Sequence, residues 1–240
     1  MKPLRILSWN ILHGGGVRCE KILSYIEKHE PDIVTLQEFR HGSSKAVLLD
    51  GLKACGLETV FAPETNSARE NSLIVAANLP MKASTFPDNT IPARAIKASI
   101  EVSPEIDMNL IAVHFPQKKA QLPLFHALQD LPDSWLNGFS LLVGDFNCGV
   151  PFVDSETKTF YATQLFQQLL LDGWHDAWRE RHPETREFTW ISTRKSNGFR
   201  YDHALASKVL NEKILNVQYD HLAREDKASD HSLMIVDIDS

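Results

Sequence analysis

Eight short segments rich in apolar and β-branched residues recur along the chain, at residues 4–11, 33–36, 72–77, 95–102, 109–115, 140–145, 200–206 and 232–238. Several run almost without a polar break. A strand with one wet face alternates apolar and polar residues, whereas a strand covered on both faces need not. The segments therefore predict strands held between two other layers. Stretches with apolar residues three and four apart lie between them, at 19–28, 45–55, 118–129 and 159–171, and predict helices. The region 57–102 is mostly strand-like and is punctuated by Pro63, Asn78-Leu79-Pro80 and Pro87-Asp88-Asn89, which predicts antiparallel pairing there. No repeat, low-complexity tract or linker-like shift in composition divides the chain. With 240 residues, 43% of them hydrophobic, there is enough material for a sizeable core. One domain over residues 1–240 is expected, an α/β sandwich with mixed sheets.

Chemistry-capable side chains interrupt the apolar runs at corresponding places. Asn10 ends the first run, Gln37-Glu38 the second, His114 follows Leu110 to Val113, and Asp145 with Asn147 follows Leu141 to Val143. A buried strand has little reason to carry an amide or carboxylate without a partner. In α/β sheets ligands bind beyond the carboxyl ends of strands, so these groups can converge there. Asp230-His231 precedes the last run and reaches the same edge if that strand is antiparallel. Each residue also has an ordinary reading: Asn10 as a turn amide, Glu38 as a solvated carboxylate, His114 as a satisfied strand-end histidine, Asp145 and Asp230 as turn caps. Taken together, the hard oxygen donors Glu38, Asp145 and Asp230 with the amide of Asn10 suit Mg²⁺ better than zinc. There is no HExxH and no P-loop; His13-Gly14-Gly15-Gly16 lacks the GxxxxGKS/T spacing and reads as a loop that lets backbone approach a site.

Composition narrows the classes further. A formal charge of −6 argues against the broad basic coat of a nonspecific nucleic-acid binder, though not against a local basic groove. Cys19, Cys55 and Cys148 are an odd number without a CxxC pair, which fits a reducing cytoplasm better than a disulfide framework. The first residues lack a signal-peptide h-region, and no stretch approaches the roughly 18 consecutive apolar residues of a membrane span. A cytoplasmic protein without a membrane partner is expected, and nothing points to a protein partner.

Five ordered segments resemble the endonuclease/exonuclease/phosphatase superfamily related to deoxyribonuclease I and exonuclease III: Ser8-Trp9-Asn10-Ile11, residues 31–38 ending in Gln37-Glu38, Gly144-Asp145-Phe146-Asn147, Arg200-Tyr201-Asp202 and Ser229-Asp230-His231. The resemblance spans almost the whole chain. It implies a four-layer α/β/β/α sandwich with two mixed sheets, and a Mg²⁺ ion, with Mn²⁺ as a substitute, held by Glu38 with Asn10 and Asp230. It also implies that Asp145 activates water, Asn147 holds water or phosphate, and His114 and His231 bond the phosphate, with Asp202 orienting His231. Glu70 is a further candidate for that orienting carboxylate. Leu12 stands where the nuclease branch often has Asp or Asn, and His114 where the exonuclease III branch tends to have tyrosine.

The C-terminal third resembles the exonuclease III branch at Asp172-Gly173-Trp174-His175-Asp176-Ala177-Trp178-Arg179 and Phe188-Thr189-Trp190, as does Arg94 ahead of a strand. By that resemblance Arg94, Arg194, Lys195, Phe199 and Arg200 are candidates for substrate binding, cations for the backbone and an aromatic for stacking. The ordinary alternative is a basic hairpin with a core-facing Phe199. DNA is thus the expected partner of a repair-type endonuclease or exonuclease. The alternative is a phosphatase or phosphodiesterase for an inositol phosphate, lipid headgroup or other small phosphoester.

Overall fold

The computed structural model describes residues 2–87, 94–158 and 160–239. Asp88 and Asn89 of the expected turn, and the expected helix start at Thr159, lie outside them. In chain order the strands are β1 (Leu4–Asn10), β2 (Ile33–Phe39), β3 (Thr59–Phe61), β4 (Ser72–Ala77), β5 (Met81–Thr85), β6 (Ala95–Ser103), β7 (Ile106–His114), β8 (Ser140–Asp145), β9 (His175–Asp176), β10 (Trp190–Ile191), β11 (Gly198–Phe199), β12 (Asp202–Ala206), β13 (Ile214–Asp220) and β14 (Leu233–Ile238). The principal helices are α1 (Cys19–His29), α2 (Lys45–Ala54), α3 (Leu122–Gln129), α4 (Asp133–Asn137) and α5 (Thr163–Leu171). Residues 118–121, expected to open α3, form a separate 3-10 turn, because Pro123 suits the first turn of a helix and no position further in.

Six strands make one sheet in the order β13-β14-β1-β2-β4-β3, and six make the other in the order β5-β6-β7-β8-β12-β9. Both are mixed: β1 pairs with β2 and β7 with β8 in parallel, and their other partners run antiparallel. Strand alternation sets the layers. Along β1, Leu4 and Ile6 join the core between the sheets, while Leu7 and Trp9 pack under α1 and α2. Along β8, Leu141 and Val143 face the other sheet, and Leu142 packs with Phe125 and Phe166 from α3 and α5. The result is the four-layer α/β/β/α sandwich that the family resemblance implies, with the doubly covered strands that the apolar runs predict.

The same alternation aims the polar residues. Asn10, His114, Asp145 and Asp202 continue the faces that carry Ile6, Ala112, Val143 and Ala204, so they emerge where the inter-sheet core ends. Register then aligns three of them: Asp145 is paired with His114 on one side and Asp202 on the other. Gly144 permits this approach, since a Cβ there would collide with the Val113 carbonyl.

Candidate active site

Glu38 reaches the cleft only because β2 breaks its own alternation. Opposite β4, the register slips between Gln37 and Phe39, and Glu38 is the bulged residue, with φ 61°. Phe39 consequently packs on the helix side with Leu36, and the carboxylate turns toward the inter-sheet edge. There Oε2 accepts the His13 backbone N–H at 2.8 Å, and Oε1 lies 3.8 Å from His114 Nε2. Asn10 spans the sheets, its Nδ2 donating to Asp145 Oδ2 at 3.0 Å and, more weakly, to Glu38 Oε1 at 3.4 Å. Asn147, left-handed at φ 46°, donates its backbone N–H to Asp145 Oδ1 at 2.8 Å and its Nδ2 to Asp145 Oδ2 at 3.3 Å. His231 Nδ1 sits 2.9 Å from Asp202 Oδ2. Glu38, His114, Asp145, Asn147 and His231 line a cleft of about 390 Å³ with Arg94, Trp190, Tyr201 and Asp230, while the buried Asn10 and Asp202 support it through these bonds.

The loops carrying Asn10 and His231 are bound to one another. Trp9 Nε1 donates to the His231 carbonyl at 2.9 Å, and Ser229 Oγ donates to the Asn10 carbonyl at 2.5 Å. Arg18 donates to the carbonyls of Ile11, Leu12 and Ala228, closing the same seam from below. Nothing in the sequence around Arg18 marks this role.

The environment separates the protonation states. Burial, reinforced by the Asp202 charge, raises the Asp145 carboxyl to about 7 despite its amide donors and His231. Burial alone would keep His231 neutral, but Asp202, and behind it Asp145 and Asp230, outweigh it and raise the imidazole to about 10. Burial and the nearby Arg94 hold His114 near 4, overcoming the attraction of Glu38. At neutral pH His231 is therefore an imidazolium and His114 a neutral ring. Arg94 Nη1 points at His114 Nδ1 from 3.4 Å, which leaves the proton of His114 on Nε2, facing Glu38 and Asp145.

Residues 7–231 match the model of the Endonuclease/Exonuclease/phosphatase family, nearly the full length of the chain. The chain belongs to that family. The endonuclease/exonuclease/phosphatase family is one of phosphoester-hydrolysing enzymes, and solved structures agree on the fold. An AP endonuclease from Archaeoglobus fulgidus superposes with a TM-score of 0.83 at 21% identity, over 99% of this chain and 100% of the other. A point variant of the 3′ phosphatase NExo from Neisseria, bound to a product DNA hairpin, gives 0.82 at 22% identity over 99% and 100%. The 3′-5′ exonuclease NExo from Neisseria meningitidis gives 0.81 at 22% identity over 98% and 100%.

Within this endonuclease/exonuclease/phosphatase fold, the structure brings together Asn10, Glu38, His114, Asp145, Asn147, Asp202, Asp230 and His231, but it corrects several expected roles. Asn10 Oδ1 accepts the Leu12 N–H at 3.0 Å, which fixes the amide so that its Nδ2 faces the carboxylates of Asp145 and Glu38. Glu70 is not the partner of His231: it accepts the Asn66 N–H at 2.9 Å within its own loop, and Asp202 occupies the imidazole. Phe199 is buried, stacked on Tyr201 with ring centroids 5.1 Å apart, so its face is not available to a base. Arg194 and Lys195 are exposed in the turn between β10 and β11. Trp190 and Tyr201, quoted in the sequence motifs without a role, line the cleft instead.

Arg200 is likewise no substrate contact. It is fully buried, its Nε donating to Asp154 at 2.8 Å and its two terminal nitrogens to Asp176 at 3.0 and 2.6 Å. Burial works against the charge, but the two carboxylates outweigh it and hold the guanidinium well above its ordinary value, while Asp176 is held far below the usual carboxylate range. Removing one member leaves buried carboxylates uncompensated. Arg200→Met is expected to cost about 3–5 kcal/mol, seen as a lowered denaturant midpoint. Arg200→Lys should recover little of it, because an ammonium cannot make the bidentate contact. A wild-type midpoint in the Met variant would refute the assignment.

Proposed function

We propose that this chain, read as one catalytic domain over residues 1–240, is a Mg²⁺-dependent phosphodiester hydrolase acting on DNA, of the repair type that cuts at abasic sites or trims 3′ ends. The observation that carries this reading is the buried Asp145 carboxyl, held by N–H donors from Asn10 and Asn147 beside the His231–Asp202 pair. When ionised, Asp145 takes a proton from a water molecule as that water attacks phosphorus. The bond from water oxygen to phosphorus forms as the bond to the leaving oxygen breaks, without a covalent enzyme intermediate. The imidazolium of His231 and the Nε2–H of His114 donate to phosphate oxygens where negative charge grows. Asn147 keeps Asp145 aligned with the attacking water.

The donors present fit a hard divalent cation. Among the described residues no group of three His, Cys, Asp or Glu side chains forms a closed cage. Mg²⁺ does not need one, since it binds through one or two carboxylates and retains waters. Glu38 offers a carboxylate in the cleft, and Asp230 Oδ1 is buried without a hydrogen-bond partner while its Oδ2 accepts Trp190 Nε1 at 2.9 Å. When bound, the cation neutralises charge on a non-bridging phosphate oxygen and on the leaving oxygen; Mn²⁺ has the same ligand preference.

DNA as substrate is supported by the rim: Trp190 and Tyr201 offer flat apolar surface, and Arg194 and Lys195 stand exposed on the adjoining turn. The relatives named above as an AP endonuclease and a DNA-bound 3′ phosphatase support the same class. A small phosphoester is the second reading, favoured by the net charge of −6. No helix among the described residues is long and apolar enough to cross a membrane. One panel with Mg²⁺ decides: duplexes with an abasic site, a 3′-phosphate, a nick or a blunt end, single-stranded DNA and RNA, inositol phosphates and sphingomyelin. Turnover confined to DNA supports the proposal; turnover confined to a small phosphoester overturns it.

A further inference from the structure

Glu38 is gripped by the turn that follows β1. Leu12 and His13 both lie in the left-handed region there, at φ 52° and 55°, where residues with a Cβ are uncommon. In this conformation the His13 backbone N–H donates to Glu38 Oε2 at 2.8 Å, and the Gly14 N–H donates to the Glu38 carbonyl at 2.7 Å. Glu38, left-handed as well, is thus held at its carboxylate and at its backbone. With Oε2 engaged, Oε1 is the oxygen turned toward Asn10 and His114.

Arg40 in turn holds His13 in that conformation. Its Nη2 lies 2.8 Å from His13 Nδ1, and its Nε donates to Asn71 Oδ1 at 2.6 Å. A guanidinium has donors only, so Nδ1 accepts from Arg40, and the ring is tied through Arg40 to the loop ahead of β4. Gly14 lets the turn lie against the same side chain, since a Cβ there would stand 3.0 Å from Arg40 Cβ. Ser44 Oγ closes the turn by donating to the Gly14 carbonyl at 2.7 Å. Arg40 makes no ion pair among the described residues, although Glu38 Oε2 lies 2.8 Å from the same ring nitrogen. A guanidinium paired directly with Glu38 would compete with a cation for the carboxylate. His13 stands between the two, so Arg40 supplies position to Glu38 without neutralising it.

We propose that Arg40 is a positioning residue for the divalent cation: through His13 it fixes Glu38 Oε2, and thereby where Oε1 is presented. This rests on the Mg²⁺ reading above and deepens it. The expected size follows from other metal sites, where removing a group that orients a ligand from behind changes metal affinity about 10- to 100-fold.

The test is the rise in Tm across a Mg²⁺ series that brackets saturation of the wild type, measured against EDTA and without substrate, which yields the dissociation constant of the ion. Arg40→Met is expected to raise that constant about 10- to 100-fold. His13→Ala does the same, because alanine offers Arg40 no acceptor and disfavours the left-handed backbone. His13→Asn keeps the constant close to that of the wild type, since asparagine tolerates this backbone and its Oδ1 accepts from Arg40. A merely structural Arg40 gives the opposite pattern, a lower Tm in EDTA with the Mg²⁺-dependent rise undiminished. That result, or equal loss of affinity in His13→Asn and His13→Ala, overturns the proposal. A rise that Glu38→Gln abolishes and Arg40→Met leaves intact overturns the positioning role alone. Absence of any rise in the wild type overturns the Mg²⁺ reading together with it.

Discussion

Asp145→Asn is expected to lower kcat by about 10²–10⁴-fold, the usual contribution of a positioned general base, with a much smaller change in KM. Asparagine keeps the shape and one acceptor for the Asn147 N–H, but it cannot take a proton from water. A second readout separates this role from simple misfolding. In the metal-free protein the Asp145 carboxyl is raised to about 7, by burial first and then by the Asp202 charge. A carboxyl raised on folding contributes stability that is fully present below its unfolded value near 4 and is lost as pH rises through 7. The wild type should therefore lose thermal stability between pH 5 and 8 with a component that Asp145→Asn lacks. Melting curves of both proteins at the two pH values give the comparison. Parallel pH dependence in the two would show that the carboxyl is already ionised in the folded state, and wild-type kcat in the variant would remove Asp145 from the chemistry.

Much of the fold was legible because the strands are covered on both faces. Near-continuous apolar runs at residues 72–77 and 140–145 coincide with β4 and β8. β13 was not legible: only Ile214 and Val217 of Ile214–Asp220 are buried, so an edge strand of the first sheet carries no apolar run. The convergence of Asn10, His114 and Asp145 could be read from their places at strand ends, since alternation and register follow from a period of two. What could not be read is where the chain leaves that period. Nothing in Leu36-Gln37-Glu38-Phe39 announces the bulge that turns Glu38 into the cleft.

Polar identity also proved weaker information than polar satisfaction. Arg200 and Phe199 have the side chains of a DNA contact, but Arg200 is neutralised by Asp154 and Asp176 and Phe199 is covered by Tyr201. Both partners of Arg200 are distant in sequence, so no local pattern reveals the pairing. The resemblance offered Asp202 as the acid for His231 and Glu70 as a further candidate. Only the pairing of β12 with β8, which sets Asp202 beside Asp145, decides between them. The converse holds for Trp190, quoted only as part of a motif and given no role of its own, which the bridge to His231 brings to the cleft.

Glu38→Gln is expected to remove the response to Mg²⁺ and, at a fixed millimolar concentration of the ion, about 10³-fold in kcat/KM. Several kcal/mol of transition-state charge stabilisation depend on the cation, and about 1.4 kcal/mol corresponds to each factor of ten. Glutamine keeps an acceptor for the His13 N–H, so the local backbone is preserved while the charge is lost. Burial opposes ionisation of Glu38, but the neighbouring His114 and the His13 N–H outweigh it and draw its carboxyl below the usual value. A ligand at 100 times its dissociation constant stabilises the folded state by about 2.7 kcal/mol. For a domain of this size that is an upward shift of roughly 5–10 °C in Tm. Scanning calorimetry with and without Mg²⁺ should show such a shift in the wild type and little or none in Glu38→Gln. Asp230→Asn should show an intermediate shift, because it alters one oxygen of a carboxylate whose other oxygen is already taken by Trp190. An undiminished shift in Glu38→Gln would place the cation elsewhere. A full shift with lost turnover would instead make Glu38 a partner of His13 and His114 that acts on the phosphate without holding the ion.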